Sequence, residues 1–171
     1  MITTVVAGNP KPASRTLDAA TVVLDRLTGS APDHVVDVVD LGPGLLGWGD
    51  ERVSDAVRTV AGSDLVVVAS PTFKATYTGV LKLFLDQFAT GDGLAGVVAV
   101  PLMLGAGPAH ALAPEVFLKP VLVELGATVP AAALYLNDKH YSEPAATDDW
   151  TARWRDVVLG AATRLQEGIR S

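Results

Sequence analysis

The chain has 171 residues, 49% of them apolar and 19% charged, and its 13 Lys and Arg against 19 Asp and Glu give a net charge of −6. That length favours one domain with a substantial core, and the negative field argues against nucleic acid or an anionic membrane as the main partner. There is no cysteine, which excludes disulfides, thiolate catalysis and thiolate metal sites, so any redox chemistry needs a borrowed cofactor.

Residues 2–7 open the chain as a short valine-rich run that reads as a buried strand. No basic segment or small-residue cleavage site precedes it, so a secretory signal is not expected and a cytoplasmic location is. The loop 8–16, GNPKPASRT, leads into a segment with Leu17, Ala20, Leu24 and Leu27 at helical spacing, ending at Gly29. A second strand is expected over 35–39. Residues 41–52, rich in glycine and carrying Trp48, read as a surface loop. A helix capped by Ser54 then carries Val57, Val60 and Ala61 and stops at Gly62. The third strand covers 65–69, followed by loop 70–79 and a helix with Val80, Leu81, Phe84, Leu85 and Phe88. The fourth covers 97–103, followed by loop 104–110 and a helix with Phe117, Val121, Leu122 and Leu125 that ends at Gly126. The fifth covers 129–136. A last helix, capped by Asp148, presents Trp150, Trp154, Val157, Ala161 and Leu165 on one face.

Five strands alternating with helices, each strand apolar on both sides, predict a doubly wound α/β domain spanning 1–171, with a five-stranded parallel sheet and helices on both faces. No apolar run approaches the roughly 18 to 20 residues that cross a bilayer. The high mean hydropathy, +0.34, therefore goes into a core or an oligomer interface, and the apolar helix after loop 70–79 makes a homodimer or homotetramer the expectation.

Ligands of doubly wound sheets settle beyond the carboxyl ends of the strands, which directs attention to loops 8–16, 70–79 and 104–110. In the first, Ser14 and Thr16 supply hydroxyls and Lys11 and Arg15 charge beside a helix N-terminus, the outline of a phosphate site. The alternative is that Ser14 only caps the helix while both cations point into solvent. The loop is neither a Walker A sequence nor G-x-G-x-x-G. Loop 70–79 places Phe73, Lys74 and Tyr77 among hydroxyls, a wall for a flat aromatic ligand or ordinary packing. Gly105, Ala106 and Gly107 permit close backbone approach. His34, His110 and His140 show no metal-ligand spacing, and no metal site is expected.

Three segments carry a resemblance: A-G-N-P-K-x-x-S-R-T from Ala7, S-P-T-F-K-A-T-Y-T-G-V-L-K-x-F-L-D from Ser70, and G-A-G-P-A-H-A-L-A-P-E-V-F-L-K-P-V-L from Gly105. Together they resemble the NADPH-dependent FMN reductases of flavodoxin-like fold, most closely the reductase partners of alkanesulfonate monooxygenases, over roughly residues 1–136. The resemblance implies that Asn9 through Thr16 form the phosphate loop, with Ser14, Arg15 and Thr16 facing the FMN phosphate. It places the isoalloxazine ring against Pro71, Thr72, Phe73 and Lys74, with Gly105 and Ala106 near its other end. It also implies NADPH or NADH as hydride donor, a monooxygenase as recipient of reduced flavin, and dimerisation that builds part of the flavin pocket. Asn9 and Lys11 stand where the family usually has serine and arginine, replacing a bidentate phosphate fork by a point charge. In the sulfonate-system reductases an aromatic or histidine residue interrupts the helix after loop 104–110 (loop four, after the fourth strand), where this chain has Val116. His110 resembles a family position, but a lone histidine before an apolar helix is more often structural. Rival readings are a quinone, azo-dye or metal-ion reductase with resident FMN, a flavodoxin-like electron carrier, and a flavin-free binding module.

Overall fold

The structure, a computed structural model, describes residues 1–170, apart from the side chains at 166, 167, 169 and 170. Strands β1 (Thr3–Ala7), β2 (His34–Asp37), β3 (Leu65–Pro71), β4 (Val98–Gly105) and β5 (Leu134–Asn137) form one parallel sheet in the order β2-β1-β3-β4-β5. This is the flavodoxin-like order, in which the chain reverses direction across the sheet between β1 and β3 and leaves a crevice at their carboxyl ends.

Side chains alternate across the pleat and build two cores. On one face Val6, Val36, Val66, Val68, Ala99 and Met103 pack under helices α2 (Glu51–Ala61), α3 (Gly79–Leu85) and α4 (Lys119–Glu124). On the other, Val5, Leu65, Val67, Val100, Leu102 and Leu134 meet α1 (Arg15–Thr28) and α5 (Asp148–Arg170). Strands apolar on both sides thus follow from helices on both faces. The centre of α5 differs from the expected stripe: Val158 and Ala162 are fully buried, while Val157 is 44% exposed. A 3.6-residue helix carries the buried line from Trp150 and Trp154 to 158 and 162, with Ala161 and Leu165 packed beside it and Val157 turned outward.

Several boundaries move for identifiable reasons. Asp50, not Ser54, caps α2, accepting from the Val53 amide at 3.1 Å, while the Ser54 hydroxyl donates to the Asp50 carbonyl at 2.9 Å inside the first turn. A carboxylate within reach of the free amides starts the helix earlier. Part of 41–52 is helical as well: Val38–Leu46 forms 3-10 turns kinked at Gly42, and Trp48 beyond it is 76% exposed. Asp148 is the first residue of α5, pairing with Arg26, and it is the Thr147 carbonyl that accepts from Thr151. β5 begins at Leu134 instead of 129, after Pro130, which has no N–H for the ladder. β4 runs on through Gly105, two residues beyond the expected end, and so carries the glycine-rich turn on the sheet itself.

A polar clasp fastens the opposite edge. The Asp33 carboxylate accepts from the Thr3 amide at 2.8 Å and hydroxyl at 2.9 Å, and these bonds hold its pKa below the ordinary 3.8. A lowered carboxylate pKa contributes stability above pH 3.8 that is lost as pH falls through the folded value. Asp33→Asn is therefore expected to lower Tm at pH 7, with the deficit shrinking as a pH series of thermal melts descends below 3.8. At the end of β1, a Cβ on Gly8 would lie 2.3 Å from the Leu81 Cβ. Gly8→Ala should cost about 1–3 kcal/mol by overpacking in urea unfolding.

Candidate functional site

The first loop is braced from within. The Gly8 amide donates to Ala69 at 2.8 Å and its carbonyl accepts from the Thr78 hydroxyl at 2.5 Å, so β1 ends pinned between β3 and the start of α3. Asn9 closes an Asx turn by accepting from the Lys11 amide at 2.9 Å, and its Nδ2 donates to the Thr16 hydroxyl at 2.9 Å. Thr16 thus accepts from Asn9 and keeps its own proton to donate elsewhere. Ala13 adopts a left-handed φ of 48°, with its amide donating to Asp37 Oδ2 at 2.9 Å. Burial raises the Asp37 pKa above its ordinary value, with Asp40 adding to the rise and the Ala13 amide opposing it. Ser14 then caps α1, extended at φ −83° and ψ 163°, with its oxygen 3.4 Å from the Leu17 amide. Ser14 and Thr16 are buried and Lys11 is exposed. Arg15 is exposed as well but paired: its guanidinium donates to the Asp138 carbonyl at 2.9 Å and pairs with the Asp138 carboxylate at 3.1 Å.

The other two loops form the wall facing it. The Thr72 amide donates to Leu104 at 2.7 Å, while its buried hydroxyl has no hydrogen-bond partner. Phe73 and Thr76 exchange backbone hydrogen bonds across a two-residue turn whose centre, Lys74 and Ala75, has φ 52° and 69°. Phe73 is 52% exposed, whereas Tyr77 packs against the core. A Cβ on Gly105 would meet the Tyr135 hydroxyl oxygen at 1.9 Å, so only glycine fits over that ring. Tyr135 in turn donates to the Gly107 carbonyl at 2.7 Å, and Asn137 Nδ2 to Ala106 at 3.1 Å.

These loops enclose a cleft of about 470 Å3 at the β1/β3 crossing. Asn9, Lys11, Ser14, Arg15 and Thr16 line one side, and Pro71, Thr72, Phe73, Gly105 and Ala106 the other, with Ala13, Leu104 and Asp138 between them. Lys74 lies outside it, lining an adjoining hollow of about 590 Å3 with Thr72, Gly105, His110 and Tyr135. His110 also borders a third, apolar hollow of about 440 Å3 with Leu112, Val116 and Phe117. Asp37, Tyr135, Asn137 and Asp138 join the site without a sequence motif. Their common signal is position at the carboxyl ends of β2 and β5, which the rule for doubly wound sheets covers as well as the three loops.

The helix after loop four is interrupted although Val116 is neither aromatic nor histidine. Pro114–Leu118 forms a π turn, with the Lys119 amide reaching back to the Pro114 carbonyl. Pro120 supplies the cause: it has no N–H for the carbonyl four residues earlier, that of Val116, and its ring crowds it. The wide turn leaves Val116 and Phe117 exposed beside the apolar hollow.

Chemically, hydroxyls, a helix start and two cations at one end suit an anionic group. The slot between Pro71, Phe73 and the 105–106 backbone suits a flat ring. The Lys74-Ala75 turn holds two non-glycine residues left-handed, at a cost on the order of 1 kcal/mol each. Ala75→Gly should accordingly raise stability by about 0.5–1 kcal/mol in urea unfolding, despite glycine's greater unfolded entropy.

Comparison with known proteins bears on the same chemistry. Residues 1–156 match the family described as NADPH-dependent FMN reductase. An FMN reductase (NADPH) of Pseudomonas putida is 28% identical over 155 residues, 86% of this chain and 76% of that one. The NADH-dependent FMN reductase SfnF of Pseudomonas putida is 27% identical over 154 residues, 82% of each. The apo crystal structure of the NADH:FMN oxidoreductase EMOB superposes with a TM-score of 0.79 at 29% identity, covering 95% of this chain and 88% of that one. With its matched residues running from the first strand into the last helix, the chain belongs to the NADPH-dependent FMN reductase family.

Proposed function

We propose that this chain works as one flavin-binding domain, holding FMN in the cleft at the β1/β3 crossing and reducing it with a nicotinamide. The observation that carries this reading is the meeting, in one cleft, of an anion-binding helix start and a ring-sized slot. Ser14, Thr16, Arg15 and Lys11, with Asn9 bracing them, hold the phosphate. Pro71, Thr72, Phe73, Gly105 and Ala106 hold the ring, and Lys74 stands at its far edge. The residues present fit the group: the buried Thr72 hydroxyl, with no partner in the protein, is free to bond a ligand atom, and Gly105 and Ala106 line the slot with nothing larger than a methyl group.

Bound FMN supplies the hydride-accepting and electron-donating chemistry. The protein orients the ring, keeps one face open to the nicotinamide, and needs no acid or base of its own. Relatives named for NADPH and for NADH support either donor. Release of reduced flavin to a monooxygenase in the cytoplasm fits a phosphate loop that has Asn9 and Lys11 where the family usually has serine and arginine. Exposed Leu112, Val116, Phe117 and Val123 support assembly as a homodimer or homotetramer.

Purified protein should oxidise NADPH or NADH at a rate that depends on added FMN. Full activity without added FMN and with a quinone as acceptor would instead mark a reductase with resident flavin. Inertness towards both nicotinamides would mark an electron carrier. Replacing Ser14 and Arg15 together by alanine should weaken FMN binding at least tenfold by fluorescence quenching, since charge-assisted phosphate contacts contribute about 1.5–3 kcal/mol each. Unchanged affinity would remove the phosphate role of this loop.

A further inference from the structure

We propose that Asp138 competes with the flavin phosphate for Arg15 and thereby lowers the protein's preference for FMN over riboflavin, keeping the flavin exchangeable. The inference rests on the reading that residues 9–16 take the phosphate.

One residue occupies both ends of the guanidinium fork. Arg15 Nη1 donates to the Asp138 carbonyl at 2.9 Å and Nη2 pairs with Oδ2 at 3.1 Å. A bidentate grip on a phosphate needs the same fork, so the phosphate must share or displace it. The Asp138 backbone is tied to the end of β4, its amide donating to the Gly105 carbonyl at 3.0 Å, and its side chain is only 25% exposed. Arg15 reaches it from α1 with its side chain 60% exposed, so the arginine is the partner free to move.

The second carboxylate oxygen points the same way. Asp138 Oδ1 is buried without a hydrogen-bond partner, although Asp138 lines the cleft together with Ser14, Thr16 and Lys11. A fixed, half-satisfied anion therefore faces the place where a second anion is to sit. Asp37, holding the Ala13 amide from behind, adds another carboxylate to the same loop. While Asp138 holds Arg15, Lys11 is, among the described residues lining this cleft, the cation left free for the phosphate, and like-charge repulsion offsets much of what the helix start contributes. Riboflavin has no phosphate and does not meet this penalty.

Asp138→Asn removes the charge while keeping an oxygen for Arg15 and the backbone carbonyl, so the arginine is not set loose. FMN and riboflavin are titrated into the full chain by fluorescence quenching. Asp138→Asn should tighten FMN about tenfold, the order expected for removing one partly exposed charge beside a phosphate dianion, and leave riboflavin within about twofold by the same reasoning. Asp138→Glu, which keeps the charge, should retain the unaltered preference. The gain should shrink in 0.5 M salt, because screening acts on charge and not on packing. Asp138→Ser repeats the test should the asparagine variant fold poorly. FMN affinity unchanged or weakened, or riboflavin tightened as much as FMN, would overturn the inference. If the unaltered protein binds FMN and the variants do not change it, the functional reading stands and this inference alone falls. If the unaltered protein binds neither flavin, both fall.

Discussion

The site depends on how closely β1 approaches α3. Gly8, with no Cβ to strike Leu81, lets the strand end against the helix, and the Thr78 hydroxyl donates to its carbonyl. Thr78 also caps α3, accepting from the Leu81 amide, and its own amide donates to Ser70. One buried threonine thus ties loop 8–16 to loop 70–79. Had the end of β1 stood a methyl group further out, Asn9 through Thr16 and Pro71 through Phe73 would not face each other across a single cleft.

Around that joint the electrostatics run against the chain's overall charge. A protein of net charge −6 keeps one local concentration of amides, hydroxyls and cations at the start of α1. Acidic residues lie next to it: Asp37 holds the Ala13 amide, and Asp138 holds Arg15. These carboxylates preorganise the loop in the absence of a ligand, since unpaired amides and a loose guanidinium would otherwise sample many conformations. They also set a limit on how strongly the loop attracts another anion. In the proposed phosphate role, preorganisation and a restrained affinity would come from the same two side chains.

The helix after loop four shows a different compromise. The π turn at Pro114–Leu118 survives without an aromatic or histidine side chain because backbone chemistry, the missing N–H of Pro120, opens it. Its exposed Val116 and Phe117 adjoin the hollow that continues from the cleft. The proposed interface and access to the proposed ring slot would share one element.

Much of this was legible in the chain itself. The valine runs and the helical spacing of Leu17, Ala20, Leu24 and Leu27 specify alternating strands and helices, because burial on two faces requires apolar residues on both sides of each strand. The three segments beginning at Ala7, Ser70 and Gly105 mark which loops share the carboxyl edge, since a parallel sheet sends every strand's end to the same side. Local competition was not legible: Asp50 displaces Ser54 as a cap, and Val158 replaces Val157 in the core, through differences of one helical turn or less. Nor was the pairing of Arg15 with Asp138, which are 123 residues apart and meet only after β5 has taken its place beside β4. Periodicity and motif spacing are properties of neighbours in the chain, whereas the charge an arginine feels depends on what the folded sheet brings beside it.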